Sequence, residues 1–414
     1  MKKVIYFFAL FIIVALSGCQ KDDIDFTSNN DQIPQLTEKE RIAAEEALCF
    51  ANDLSLSTRS TSGVGTYKLS TVIPWPDSDI KNATRSSISS LSDTALYIVN
   101  FTDENGYALV KVDDDESLVV AFVEQGNLFP NSDIDNPGMR LFLNQLDAFF
   151  KLDTVITNPP ISYILTDPHP NDPPAAQWRI TTHYPALLHT QWGQDEPFND
   201  LCFTSDSVKA KAGCVAIALG QIFSAHQFPQ SYNGHNYNWN TILNYMFRPV
   251  PVPQYNSGKT SVAYLIHDIG LLVEMSYGQN SSGAYFYNVP QCFNAFGYSY
   301  QVRYSYDFNT CLDNIAEGKP VYIRGVSNYG GHAWVIDGIL VRVDTTIQGY
   351  DNEGNIIYPE EEKYVHCNWG WYGSGNGYFL SGVFDLSQPA FGGTPGTGNF
   401  SSDNYLYYDI EVDE

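Results

Sequence analysis

Four short segments carry residue types that together could perform nucleophilic chemistry on a carbonyl group. In KAGCVAIALG (211–220), Cys214 follows Ala-Gly and precedes a run of small and apolar residues. A thiol at the start of a helix feels the positive end of the macrodipole and unpaired backbone N–H groups, both of which favour the reactive thiolate. In GGHAWVIDG (330–338), His332 follows two glycines and opens a run of strong β-formers; imidazole takes and returns protons near neutral pH. In HCNWGWYG (366–373), Asn368 can accept the imidazole N–H and orient the ring, while Trp369 can shield that contact from water. In TQWGQDEPFN (190–199), Gln194 can donate its amide N–H to a developing oxyanion. Each segment alone has a blander reading: a core cysteine, a structural histidine, an aromatic strand end, a loop glutamine. Their joint presence favours a Cys-His-Asn site with Gln194 as oxyanion donor.

The elements that must position these residues are legible from hydrophobic periodicity. Residues 214–226 read as a helix apolar nearly all round, hence buried. Val262, Leu265, Ile266, Ile269 and Val273 form one stripe of a helix over 261–276. Beyond 319 the pattern changes to strands: PVYIRGV, HAWVIDGILV, KYVHCNW, GYFLSG and NYLYYDIEV. Helices followed by strands imply an α+β domain with segregated layers. The first half reads differently. Thr37-Glu38-Lys39-Glu40 fits a capping box opening a helix that carries Ala43, Ala47, Phe50 and Leu54 on one face. Residues 57–92 read as loop, and ALYIVNF, YALVKV and SLVVAFV read as an antiparallel meander. Met139–Lys151 is apolar at helical intervals, and the proline-rich 159–177 is the linker candidate. Arg342–Glu362 reads as a polar hairpin insertion, and the glycine-rich 391–400 as a loop near the cleft. His226 fits the dipole at a helix C-terminus, and His366 shares a strand face with Asn368.

The stretches WGQDEPFN, AGCVAIALGQIFSAHQFP, GGHAWVIDG and HCNWGWYGSGNGYF, in this order, resemble the streptopain family of secreted cysteine peptidases. YIVNF, GYALVKVDDD and VVAFVEQG resemble that family's pro-segment, so the resemblance runs over roughly residues 40–411. It implies a papain-like catalytic domain, a helical layer plus an antiparallel β-sheet layer, over 166–414. A smaller α+β pro-domain would precede it over 36–165. It assigns Cys214 and His332 as the catalytic pair, Gln194 and Asn368 as the oxyanion and orienting groups, and Trp369 as the neighbour of the histidine. Protein or peptide substrates follow, with the chain's own pro-segment as intramolecular inhibitor, released by a cut between roughly 159 and 180. The same site would also serve an amidase or acyltransferase, and a non-catalytic surface binding lipoprotein is the remaining alternative. The chemistry requires no cofactor or metal, and neither a C-x-x-C pair nor an H-E-x-x-H motif occurs.

Composition narrows the partners and the compartment. The 414 residues carry 22 Lys+Arg against 47 Asp+Glu, a net charge of −25 that repels phosphate backbones and argues against nucleic acid. Two lysines and an apolar run from Val4 to Leu16 suit a signal peptide over 1–18. Leu16-Ser17-Gly18-Cys19 resembles the lipobox of bacterial lipoproteins, implying lipidation of Cys19, a tether over 19–35, and a lipid anchor to the membrane. The expected location is the bacterial cell envelope, anchored at the outer membrane or released after processing. Seven cysteines do not make a disulfide scaffold; a Cys292–Cys311 bridge is one option.

Overall fold

A computed structural model describes residues 36–57, 67–75, 95–113, 117–130, 132, 134–155, 178–246, 254–327, 330–344, 349–350, 356–357, 361–385 and 404–413. The expected signal peptide over 1–18, Cys19 and the expected tether over 19–35 lie outside these residues. So do the whole proline-rich linker, 159–177, and the glycine-rich 391–400.

The N-terminal region opens with α1 (Glu38–Ser57). The expected capping box is present: Thr37 N–H donates to Glu40 Oε2 at 2.7 Å, and Glu40 N–H reaches back to Thr37 Oγ1 at 3.4 Å. Ala43, Ala47, Phe50 and Leu54 are all buried. Four strands follow, β1 (Leu69–Pro74), β2 (Ala95–Phe101), β3 (Tyr107–Val112) and β4 (Ser117–Val123), paired antiparallel in sequence order. The last three are the expected meander. β1 corrects the reading of 57–92 as loop: LSTVIP lacks a polar–apolar alternation, and its pairing with β2 supplies what local pattern does not. Helix α2 (Pro137–Val155) closes this region and contains the expected 139–151 segment.

The C-terminal region begins with β5 (Trp178–Tyr184), so the last residues of the anticipated cleavage window already belong to a paired strand. Helix α3 (Cys214–His226) has the bounds that periodicity suggested. A small hairpin, β6 (Ser231–Tyr232) and β7 (His235–Asn236), leads to α4 (Trp239–Met246) and α5 (Gln254–Leu272). Val273 of the predicted stripe is buried but lies just past the end of α5. Then come α6 (Val289–Phe296), β8 (Tyr298–Arg303), α7 (Phe308–Ala316), β9 (Val321–Ser327) and the long β10 (Gly330–Asp344). The polar insertion forms the short pair β11 (Gly349–Tyr350) and β12 (Ile356–Ile357). The chain finishes with β13 (Glu361–Asn368), β14 (Gly377–Leu380) and β15 (Tyr405–Val412).

All but the two small hairpins join one sheet of 11 strands in the order β1-β2-β3-β4-β14-β13-β10-β9-β15-β8, with β5 beside β10. The two regions meet at β4 and β14, where Phe122 opposes Tyr378. Strand alternation divides the interior in two. On β10, Trp334 and Ile336 enter the core shared with α1 and α2, whereas Ala333 and Val335 enter the core built on α3 and α5. Cys292 lies in the second core and Cys311 in the first, and both are free thiols, so the optional bridge between them is not formed. His226 does end α3, but burial pushes its pKa down, which removes the charge that would complement the helix dipole.

A buried charge cluster ties α1 to the sheet at the root of the insertion. Arg342 and Glu362 are cross-strand partners on β10 and β13 and are hydrogen-bonded to each other. Arg342 also donates to Glu46 of α1 at 2.6 Å, and its guanidinium lies 4.9 Å from the Phe50 ring and 4.8 Å from the Trp178 ring. Tyr364 hydroxyl donates to Glu362 at 2.5 Å. A guanidinium withdrawn from water is tolerated because two carboxylates surround it.

Candidate active site

Gly213 precedes α3 with φ +92°, and an added Cβ would lie 2.6 Å from Met275 Sδ, so only glycine fits this turn. It provides no side-chain cap, which leaves the first N–H groups of α3 free to meet a ligand. Cys214 is half-buried and its sulfur lies among the backbone N–H groups of Ala333, Val215 and Cys214 itself. Burial raises the thiol pKa above its ordinary value, and those N–H groups work against the rise. A cleft of about 760 Å³ opens over the sulfur and is bordered by Gln194, His332 and Trp371 as well. Gln194 is anchored through its carbonyl, which accepts from Ala212 N–H at 2.9 Å.

His332 borders the same cleft but makes no hydrogen bond with Cys214. Successive side chains of β10 point to opposite faces, and that of Ala333 enters the core built on α3. The imidazole therefore lies with Trp334, ring centroids 6.1 Å apart, and its Nε2 bonds the Trp369 carbonyl at 2.9 Å. A carbonyl only accepts, so Nε2 carries the proton. Burial, aided by Arg140 and opposed by the Trp369 carbonyl, pushes the His332 pKa down to about 4. Both partners are neutral at ordinary pH, and no thiolate–imidazolium pair exists in this arrangement.

The expected orienting contact is also unmade. Asn368 Nδ2 donates to Thr190 O at 2.7 Å and its Oδ1 accepts from Gly370 N–H at 3.2 Å, so the amide faces the backbone rather than the ring. Trp369 is fully buried, its ring centroid 6.4 Å from that of the histidine, with Nε1 bonded to Gly375 O at 2.9 Å. His366 belongs elsewhere: Nδ1 pairs with buried Asp337 at 2.6 Å, and Nε2 faces Glu124 from the N-terminal region at 3.6 Å.

Helix α2 lies against both halves of the site. Pro137, Arg140, Leu141 and Asn144 enter the cleft. Gly138 sits against the aromatic pair so closely that an added Cβ would lie 2.1 Å from Trp369 Cε3 and 2.9 Å from His332 Cδ2. Phe142 anchors the helix, its ring 4.8 Å from that of Phe379.

The sequence pattern of the Peptidase C10 family matches residues 192–379, a span that holds Gln194, Cys214, His332 and Asn368. Streptopain of Streptococcus pyogenes is 25% identical over 363 residues, covering 75% of this chain and 79% of its own. The family pattern and this likeness together support a streptopain-family cysteine peptidase. The thiol protease/hemagglutinin PrtT of Porphyromonas gingivalis is 23% identical over 350 residues, which cover 77% of this chain but 37% of that protein. A Prevotella intermedia prointerpain A fragment shares the fold, with TM-score 0.52, 22% identity and coverage of 75% of this chain and 94% of the fragment. The α+β, papain-like architecture with a preceding N-terminal region is thus shared with a pro-form of a family member.

For the peptidase, sequence reasoning named the polar groups but missed the residues that hold or block them. Gly138 and Arg140 fall in a helix that shows only amphipathic spacing. Nothing local signals that its first turn meets Trp369 and His332. The glycine at 138, placed in the first turn of an otherwise bulky apolar helix, is the one signal that was available.

Proposed function

We propose that this cysteine-type peptidase is an endopeptidase made as a zymogen, exported, and lipid-anchored through Cys19 in the bacterial cell envelope. The observation that carries the catalytic reading is the Cys214 sulfur at an uncapped helix start, among three backbone N–H groups and in one cleft with Gln194. Residues 36–165 act as the pro-domain, 166–414 as the catalytic domain. The zymogen reading rests on α2 in the cleft and on the separated, neutral Cys214 and His332.

Once α2 leaves, His332 turns toward the sulfur and takes its proton, with Asn368 Oδ1 receiving the other ring N–H and Trp369 covering that contact. The thiolate forms a bond to the carbonyl carbon of the scissile peptide, and the π electrons move to oxygen. Gln194 and the Cys214 backbone N–H hold that oxyanion. Collapse expels the amine, which takes the proton from His332, and leaves a thioester. Water, deprotonated by His332, then displaces the thiolate. Loss of the Gln194 amide should raise the barrier by about 3 kcal/mol, less than loss of either member of the pair.

The test compares wild type with Cys214→Ala. Wild type should be labelled by a thiol-directed peptidyl epoxide and should release new amino termini from casein, and the variant should do neither. Equal casein cleavage by both proteins would exclude the assignment. Amino-terminal sequencing of the matured chain tests the domain boundary and whether the cut falls before Trp178. Mass analysis of the full-length protein tests lipidation at Cys19.

A further inference from the structure

We propose that Tyr372 is a positioning residue for the oxyanion site, clamping the backbone on both sides of Gln194. The proposal rests on the assignment of Gln194 as oxyanion donor. Tyr372 stands four residues beyond Asn368, in the turn between β13 and β14, with φ +56°. That left-handed conformation is unfavourable for a bulky side chain and persists where surrounding contacts over-determine it. Three contacts do so, and all fall on the Gln194 loop. Tyr372 N–H donates to Trp192 O at 3.0 Å. Its hydroxyl accepts from Asp195 N–H at 2.8 Å. Its ring lies flat against Gly193, where an added Cβ would be 2.2 Å from Tyr372 Cε2. Residues 192, 193 and 195 are thus held by one side chain and its own backbone, and residue 194 is carried between them.

The other side of the loop is fixed by the segment leading to the nucleophile. Gln194 O accepts from Ala212 N–H at 2.9 Å, and Asp195 pairs with Lys211 Nζ at 2.7 Å. Gln194 therefore sits between a clamp attached to the nucleophile and a clamp attached to the Asn368–Trp369 strand end. An oxyanion donor acts only if it is already in place when the charge develops, and small displacements cost rate rather than binding. Tyr372 is 43% exposed, so removing its hydroxyl lets water reach Asp195 N–H and should leave folding intact. The hydroxyl pKa is pushed up to about 12 by burial of the ring, so it stays neutral across any practical assay range.

The experiment uses full-length protein carried through maturation, with active sites counted by peptidyl-epoxide labelling. Tyr372→Phe should lower kcat roughly tenfold with KM within about twofold and the melting temperature within about 2 °C. Gly193→Ala, which pushes the ring away and keeps the hydroxyl, should give the same kcat deficit. In a Gln194→Ala background, Tyr372→Phe should cost nothing further, because the group it positions is gone. Normal kcat in Tyr372→Phe beside an impaired Gln194→Ala overturns the proposal alone, as does a full additional loss in the double variant. Normal kcat in Gln194→Ala overturns the oxyanion assignment and this proposal with it.

Discussion

Cys214 and His332 border one cleft and yet are not hydrogen-bonded to each other. Burial raises the thiol pKa and holds the imidazole near 4, so proton transfer between them has no driving force in the full-length chain. A pH experiment separates the two states. In the uncut protein, alkylation of Cys214 by iodoacetamide should rise about tenfold per pH unit from pH 6 to 8, as for an unassisted thiol. In the matured protein the rate should be nearly flat over that window, because an imidazolium partner keeps the thiolate populated. Background from the other cysteines is removed by subtracting a Cys214→Ser control. A flat profile already present before processing would mean that the pair is formed in the full-length chain.

At the level of elements, the proposed latency rests on α2, which lies closely on β10 and the Trp369 turn. The Phe142 ring contributes ~2–3 kcal/mol of burial to this packing. Gly138 lets the helix approach, since even a methyl group there would overlap Trp369. Gly138→Ala should therefore lift the first turn of α2 and release His332. Peptidyl-epoxide labelling of the uncut protein should increase by about tenfold or more, while the labelling of matured enzyme stays the same. If uncut Gly138→Ala is labelled no faster than wild type, α2 is not what holds the histidine away. Composition and spacing revealed α2 and α3 as helices because α2 is apolar at helical intervals and α3 is apolar nearly all round. They did not reveal β1, whose six residues have no alternation to read and are strand-like only beside β2.

Across the whole molecule the two regions share one sheet and two charged contacts, buried Arg342 with Glu46 and His366 with the exposed Glu124, so their association should depend on pH. Burial opposes protonation of His366, but Asp337 and Glu124 outweigh it and raise its pKa to about 10, against ~6.5 in an unfolded chain. A base whose pKa is higher in the folded state stabilises it fully below the unfolded value, and that contribution is lost as pH rises toward 10. His366→Gln should accordingly melt below wild type at pH 6, and the gap should narrow steadily toward pH 9. A gap of constant width over that range would show that the ion pair is not the source of the difference. The Arg342–Glu46–Glu362 cluster makes a second bond between the regions, and it lies at the root of the polar insertion. The insertion looked like a surface excursion because its residues are polar, and only the pairing of β10 with β13 shows that its two ends are buried.

Residue type and short-range spacing by themselves determined much of this protein. They identified the thiol at a helix start, the histidine at a strand start, the capping box of α1 and the order of helices and strands. These are properties of a few consecutive residues, which backbone geometry reads directly. Tertiary structure alone decided which side of β10 the imidazole occupies, what the Asn368 amide bonds and how Gln194 is held. Alternation dictates only that His332 and Ala333 point apart. The choice of face comes from Trp369 and Gly138, which are remote in sequence and meet the ring only when the sheet is assembled.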